Sequence, residues 1–186
     1  LTQRSVRVLR QLGIWQRIEP QALSPLRDAR VFNGSAPFAM VISHDLGPHS
    51  ELGWLVSNHL IRQAAFAQLQ HAMLEAAGQI RLLCGASVQT VHSDAAAAQA
   101  TLADGRTLRA RLLVAADSRF STTRRAMGIA ADQHDFGRTM LVCRVRHTRA
   151  HNNVATEWFD RGQTIAMLPL LEGQSSFVLT LGTLDM

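Results

Sequence analysis

The segment 112–125 constrains the fold of this chain more than any other part of the sequence. Its apolar run, 112–116, stops at Asp117, and a short polar turn then leads to Arg124 and Arg125. An apolar run of this length is typical of a buried strand. A carboxylate at the carboxyl end of a strand can accept hydrogen bonds from ligand hydroxyls, and ligands bind at that edge of open α/β sheets. The segment therefore predicts a strand, a turn and a small-molecule site.

Local residues alone leave two interpretations of Asp117 open. In the first, Asp117 faces the ribose or phosphate of a ligand, and a salt bridge from Arg124 fixes the turn. In the second, the segment is an ordinary strand-to-helix turn in which Ser121 is the N-cap and Arg124 lies on the surface. A short helical turn that ends near Gly128 is expected after this point.

Composition indicates a folded protein with a real core. Of the 186 residues, 47% are hydrophobic, which excludes the disordered and low-complexity classes. All 19 basic residues are arginines, scattered from Arg4 to Arg161. A nucleic-acid surface would need them clustered, so they indicate a compositional bias, and they also suit a phosphate-bearing cofactor. Cys84 and Cys143 lie in apolar stretches and are expected to be buried and reduced, as in a cytosolic protein.

Hydrophobic spacing predicts a chain that changes character near residue 130. Amphipathic helices are predicted over 2–18, with Gly13 as an alternative end of its regular part, and over 58–77, with Gly78 as its C-terminal cap. The turn signals Asn33-Gly34 and Asp104-Gly105 predict tight connections between strands. Strands in close succession after residue 130 favour an antiparallel sheet. The predicted strands are 29–32, 38–42, 80–84, 88–92, 98–102 and 108–116, followed by 140–147, 154–159, 164–168 and 176–181.

The stretch Ala-Asp-Ser-Arg-Phe-Ser-Thr-Thr-Arg at 116–124 resembles the second fingerprint of class A flavoprotein monooxygenases. That fingerprint runs Asp-Gly, two variable residues, Ser, two variable residues and Arg. Asp117, Ser121 and Arg124 match it at the right spacing, whereas Ser118 replaces its Gly. In the family this turn lies near the FAD pyrophosphate and the path of the nicotinamide cofactor.

Other stretches resemble the same family. Segment 5–15 is similar to the helix after the FAD ribose-binding region, and 53–62 to the strand and helix start whose polar residue touches FAD, a place that Asn58 fills. Segments 146–159 and 166–170 resemble the ubiquinone-biosynthesis hydroxylases of that superfamily. The GxGxxG turn that cradles the FAD pyrophosphate and the later Gly-Asp segment of the family do not occur. The resemblance therefore implies an internal fragment of a longer monooxygenase, inactive by itself.

The resemblance implies an α/β fold. An incomplete Rossmann-like FAD-binding domain is expected to be interleaved with an antiparallel-sheet substrate domain. The expected boundaries assign 1–29 and 52–130 to the FAD-binding domain, and 30–51 and 131–186 to the substrate domain.

The resemblance also implies an FAD-dependent aromatic hydroxylase that uses NAD(P)H and oxygen. Its expected substrate is a polyprenylated phenol or quinol on the route to ubiquinone. Asp117 and Asn58 are expected to contact FAD, with Arg124 bracing the turn. No catalytic side chain is assigned, because the cofactor carries the chemistry. A cytoplasmic location is expected, with peripheral association at the inner membrane or with a biosynthetic complex, and with no nucleic-acid partner.

Two other classes of function remain open, namely another flavoprotein oxidoreductase of the same fold and a non-catalytic binding module. No metal site is expected. His147 and His151 have the spacing of metal ligands on a helix, but they lie in a segment predicted as strand and loop. His44 and His49 are expected to face solvent.

Overall fold

The computed structural model describes residues 1–183 and divides into two compact units. The first unit comprises Leu1–Gln79 together with Asp135–Met186, and the second comprises Ile80–His134. Helices α1 (Gln3–Gln11) and α2 (Asn58–Glu75) belong to the first unit, and α3 (Thr122–Ala126) to the second. The strands, in chain order, are β1 (Ser24–Leu26), β2 (Asp28–Asn33), β3 (Met40–Ser43), β4 (Gly53–Leu55), β5 (Val88–Ser93), β6 (Ala98–Leu102), β7 (Thr107–Ala110), β8 (Arg138–Arg146), β9 (Val154–Asp160), β10 (Gln163–Pro169) and β11 (Gln174–Gly182).

The first unit is built around a six-stranded sheet with the order β3-β2-β9-β10-β11-β8. The four strands β8 to β11 pair antiparallel. Short connections join β9 to β10 and β10 to β11, whereas β8 pairs with β11, which lies two strands further along the chain than its neighbour β9. Strand β2 pairs with β9 in parallel, from Asp28 opposite Val154 to Asn33 opposite Phe159. The expected antiparallel sheet is therefore mixed, because a strand from early in the chain joins it without a hairpin turn.

A small apolar core packs the two long helices together. Val6 of α1 and Ala64 of α2 are buried with Trp15 and Ile18. The ring of Trp15 meets that of Trp54 edge to face, with centroids 6.0 Å apart, an arrangement that aromatic pairs favour. This core positions the start of α2, which follows the short β1–β4 ladder.

Residues with a positive φ follow the ends of both long helices. α1 stops well before residue 18, because Gly13 adopts a φ of +71° and the chain then forms a single 3₁₀ turn over Trp15–Arg17. α2 ends at Glu75, and Gly78 follows with a φ of +88°. The expected end of the regular first helix at Gly13 is confirmed. Gly78 is not the C-terminal cap of α2 as expected, because the C-cap is Ala76 and Ala77 already has a φ of +44°.

The second unit contains the antiparallel meander β5-β6-β7 and the helix α3. Residues Ala98, Ala100 and Leu102 of β6 are buried, so alternate residues of the central strand form its core. The hairpin predicted at Asp104-Gly105 is confirmed, with Gly105 at a φ of +84°.

Two strand predictions in this unit are wrong. Residues 80–84 form no strand, and β7 ends at Ala110, so that 111–116 is irregular. Leu112 and Val114 are 75% and 76% exposed. An apolar run becomes a strand only where a neighbouring strand takes its backbone hydrogen bonds, and none of the strands within 1–183 pairs with these segments. Cys84 and Cys143 are also exposed, contrary to expectation, because one lies in such a segment and the other on the edge strand β8.

Truncation of Val6 tests the core between the helices. Val6 is 1% exposed, so Val6→Ala removes two buried methyl groups and is expected to lower the free energy of unfolding by about 2 kcal/mol. The measurement is the urea midpoint. Val8→Ala is the matched control on the same helix. Because Val8 is 45% exposed, this change is expected to stay within about 0.5 kcal/mol. Equal losses in the two variants would contradict the described core.

Candidate functional site

Asp117 organises the turn that leads into α3. Its Oδ1 accepts a hydrogen bond from the Ser121 hydroxyl at 2.5 Å, and its Oδ2 accepts the backbone N–H of Thr123 at 3.1 Å. Ser121 is also the N-cap of α3, since its Oγ accepts the backbone N–H of Arg124 at 2.9 Å. The predicted N-cap Ser121 is confirmed, and its hydroxyl also holds the Asp117 carboxylate.

These hydrogen bonds keep Asp117 ionised. The Ser121 hydroxyl first, and the Thr123 N–H second, hold the pKa of Asp117 well below its ordinary value, because donors to a carboxylate favour its charged form. The side chain remains exposed to solvent. A carboxylate has about four acceptor positions, and the named donors, with a longer contact from the Thr122 hydroxyl, leave room for one further donor. A cofactor hydroxyl fits this arrangement.

Ser118 has a left-handed backbone conformation, which favours glycine, the residue that the fingerprint has at this place. Its φ is +83°, in the left-handed region where a Cβ is disfavoured. Ser118, which stands where the fingerprint has Gly, therefore adds local strain to the turn.

Arg124 does not form the predicted salt bridge with Asp117. Its Nη1 instead donates to the carbonyl oxygen of Ile129, and no ion pair between Arg124 and Asp117 occurs in the described part of the chain. Gly128, with a φ of +70°, turns the chain so that Ile129 comes back towards α3. Arg124 contacts the exit of α3 rather than the Asp117 carboxylate.

Asn58 is the first residue of α2 and lies in the first unit. Its side chain is exposed and lines a cleft of about 870 Å³, here called the Asn58 cleft. One wall of the cleft comes from the β4–α2 connection and the other from β8, β10 and β11. The first backbone N–H groups of a helix have no partner within it, so this end of α2 offers donors beside the Asn58 amide. The residues lining the two walls include Leu55, Ser57, Ile61, Arg144, Leu168, Gln174 and Ser176.

His147 and His151 make hydrogen bonds to nearby backbone and side-chain groups. The rings of His147 and His151 lie edge to face with centroids 5.5 Å apart. His147 contacts the Arg149 carbonyl and the hydroxyl of buried Ser175, at 2.6 and 3.0 Å. Nε2 of His151 contacts the Leu170 carbonyl at 2.7 Å, and its Nδ1 accepts the Asn153 N–H at 3.0 Å. All four ring nitrogens are thereby engaged.

His44 does not face solvent as expected. Its Nδ1 donates to Oδ1 of Asp28 at 2.9 Å, and its backbone N–H donates to the same oxygen at 3.1 Å. The contact with His44 holds the pKa of Asp28 below its ordinary value. The pairing of β2 with β3 brings the two residues together, a contact that the sequence pattern does not reveal.

Replacement of Ser118 tests the strain in the Asp117 turn. Ser118→Gly is expected to stabilise the protein by about 0.5–1 kcal/mol, because relief of the left-handed conformation exceeds the entropic cost of glycine. Thermal unfolding measures the change. Ser93→Gly, in the regular strand β5, is the control and is expected to destabilise by about 0.5–1 kcal/mol. Effects of the same sign in both variants would contradict the assignment of strain.

Removal of the Ser121 hydroxyl tests its hold on Asp117. Ser121→Ala is expected to raise the pKa of Asp117 towards the ordinary value of about 3.9, measured by NMR titration of the carboxyl carbon. Loss of the cap is expected to cost about 1 kcal/mol of stability. Because the folded-state pKa of Asp117 is lowered, the stability linked to its ionisation is complete above the ordinary pKa and is lost as the pH falls through the lowered one.

Thr122→Ala serves as the control for this titration. The Thr122 hydroxyl contacts Asp117 at 3.4 Å, which makes it the weaker donor. Thr122→Ala is therefore expected to raise the pKa of Asp117 much less than Ser121→Ala does. An unchanged pKa in Ser121→Ala would show that this hydroxyl does not hold the carboxylate.

The chain is similar to ubiquinone hydroxylases over nearly all its length. It is 40% identical to ubiquinone hydroxylase UbiM of Neisseria meningitidis, an alignment that covers 98% of this chain and 40% of the relative. It is 35% identical to ubiquinone hydroxylase UbiL of Rhodospirillum rubrum, over 94% of this chain and 39% of the relative. The chain thus spans about two fifths of the length of these curated relatives.

Solved structures share the fold. PqsL of Pseudomonas aeruginosa, in complex with 2-aminobenzoylacetate, superimposes with a TM-score of 0.82 at 17% identity, over 100% of this chain and 50% of that chain. HpxO of Klebsiella pneumoniae, complexed with FAD and uric acid, gives 0.61 at 20% identity, over 95% and 45%. The predicted α/β class is confirmed. A family model described as the FAD binding domain matches residues 1–184, and the chain therefore belongs to this family of class A flavoprotein monooxygenases.

Proposed function

We propose that this chain is part of an FAD-dependent aromatic hydroxylase that uses NAD(P)H and oxygen. The Asp117 turn carries the proposal. In a chain that belongs to the FAD binding domain family, it combines the fingerprint spacing with an ionised and exposed carboxylate that can accept one more donor. Bound flavin supplies the oxygen chemistry, and the protein supplies binding, orientation and exclusion of water.

Asp117 and Asn58 are the proposed cofactor contacts. Asp117 would accept a hydrogen bond from a hydroxyl of FAD. Because the carboxylate is ionised, this hydrogen bond would be charge-assisted. The Asn58 amide donates to, or accepts from, the cofactor at the start of α2. Arg124 supports the turn indirectly, through the Ile129 carbonyl. The proposed FAD-binding domain comprises 1–29 and 52–130, and the proposed substrate domain 30–51 and 131–186.

The proposed substrate is a polyprenylated phenol or quinol in ubiquinone biosynthesis. Support comes from the names of the relatives, which include ubiquinone hydroxylases and, at 23% identity, the 3-demethoxyubiquinol 3-hydroxylase of Escherichia coli. The Asn58 cleft has a volume typical of small-molecule sites and includes Leu55, Ile61 and Leu168 among its apolar residues. These features suit an aromatic ring that carries an apolar chain.

The proposed location is the cytoplasm, with peripheral association at the inner membrane or with a biosynthetic complex. A polyprenyl chain partitions into the bilayer, so an enzyme that acts on it benefits from contact with the membrane surface. No helix in the part of the chain that the structure describes is long and apolar enough to cross a bilayer.

Flavin binding tests the proposal. The reading frame that contains this chain is expressed, and FAD affinity is measured by fluorescence titration of the apoprotein. Asp117→Ala is expected to weaken binding about tenfold or more, because one charge-assisted hydrogen bond is lost. Turnover is then followed as NAD(P)H-dependent hydroxylation of a short-chain prenylated phenol.

Asp94→Ala is the matched control. Asp94 is also an exposed carboxylate with a lowered pKa, and it accepts the backbone N–H groups of Ala96 and Ala97 at 2.7 and 2.9 Å in a hairpin turn. Its loss is expected to leave FAD affinity unchanged. A colourless protein that fails to take up added FAD would refute the proposed function, and equal effects of the two substitutions would refute the role of Asp117.

A further inference from the structure

A second cleft opens on the other face of the six-stranded sheet. Met167 lines this cleft and Leu168 lines the Asn58 cleft. Because successive residues of a strand point to opposite faces, the two clefts lie on opposite sides of β10. The second cleft has a volume of about 580 Å³, within the range of small-molecule sites. It is called the arginine cleft below, after Arg27, Arg30 and Arg149 in its lining.

The charge of the arginine cleft is strongly positive. Its three guanidinium groups face a single carboxylate, that of Asp28, which leaves a net charge of two. Asp28 already accepts two hydrogen bonds from His44. Arg30 and Arg149 are exposed, and within residues 1–183 neither forms an ion pair. Guanidinium groups without acidic partners favour an anionic ligand.

The floor of the cleft is apolar and aromatic. Trp158 is 40% exposed there, and its ring stacks on Phe32 with centroids 5.1 Å apart and an interplanar angle of 12°. Met167 and Val154 continue this surface. Because the pair with Phe32 already orients the indole, an apolar or aromatic group can contact it at a small entropic cost.

The loop that carries Arg149 is held in place by both histidines. His147 contacts the Arg149 carbonyl and the buried Ser175, and His151 contacts the Leu170 carbonyl and the Asn153 N–H. Arg30 lies on β2 and is fixed by its register opposite Thr156 of β9. The backbone of both arginines is therefore positioned before any ligand binds, which favours affinity.

We propose that the arginine cleft binds an organic phosphate whose apolar group lies against Trp158 and whose phosphate is bound by Arg30 and Arg149. A phosphate monoester carries a charge of about −1.5 to −2 at neutral pH. This charge is opposite in sign and similar in magnitude to the net positive charge of the cleft. The planar guanidinium fork also fits phosphate oxygens in a bidentate manner. The ligand is a free phosphate ester or the headgroup of an anionic lipid, which share this chemistry.

Calorimetric titration with phenyl phosphate tests the site, with Trp fluorescence as a second readout. Wild-type protein is expected to bind phenyl phosphate more tightly than inorganic phosphate or phenol alone. Arg30→Gln and Arg149→Gln are each expected to weaken binding about tenfold, the equivalent of one charge-assisted hydrogen bond. Trp158→Leu is expected to abolish the advantage of phenyl phosphate over inorganic phosphate. Thermal unfolding confirms that each variant is folded.

Arg7→Gln is the control, since Arg7 is an exposed arginine of α1 outside the cleft. Arg7→Gln is expected to leave the affinity for phenyl phosphate unchanged. A loss equal to that of Arg30→Gln would show that binding is general electrostatic attraction and would refute the site. Co-sedimentation with phosphatidylglycerol vesicles distinguishes the two sources. If the protein binds the vesicles but not phenyl phosphate, and if Arg30→Gln and Arg149→Gln abolish vesicle binding, the ligand is a lipid headgroup. Binding of neither probe at millimolar concentration would overturn the proposal.

Discussion

The parallel pairing of β2 with β9 is the interaction on which the first unit depends. It joins two segments that are distant in sequence. The chain must therefore lose the entropy of a long loop before β2 and β9 can form their contacts. Six residue pairs hold the register. Both ends are extended by backbone hydrogen bonds, from Arg27 N–H to the Asn153 carbonyl at 2.8 Å and from Gly34 N–H to the Phe159 carbonyl at 2.7 Å. Without this pairing, the β2–β3 pair would not be joined to the other four strands of the sheet. Arg30 would then not lie beside the loop of Arg149.

Sequence patterns predict the elements whose cause is local. The hairpin at Asp104-Gly105 and the end of α1 before Gly13 follow from glycines that adopt a positive φ. The antiparallel pairing of β9, β10 and β11 follows from short connections, whereas the pairing of β8 with β11 does not. By contrast, 111–116 has the composition of a strand but no pairing partner in the described part of the chain, and the parallel β2–β9 contact has no local signal. Non-local pairing decides both cases.

The candidate site shows the same division at the scale of side chains. Sequence spacing predicts Ser121 as an N-cap, but not the hydrogen bond that its hydroxyl donates to Asp117. It does not identify the partner of Arg124. A guanidinium on a long side chain reaches several acceptors, and the turn at Gly128 places the Ile129 carbonyl within its reach. The left-handed conformation of Ser118 was implicit in the family pattern, since a glycine at that place points to a positive φ.

Hydrogen-bond donors surround several carboxyl groups in the described part of the chain. Wherever the described residues shift the pKa of a carboxyl group, at Asp28, Glu51, Asp94, Asp104 and Asp117, the shift is downward and a hydrogen-bond donor is its main cause. A general acid at neutral pH needs the opposite shift. These groups are held as acceptors that order turns and contact donors. This role agrees with the proposed function, in which the protein positions a bound flavin and the flavin supplies the chemistry.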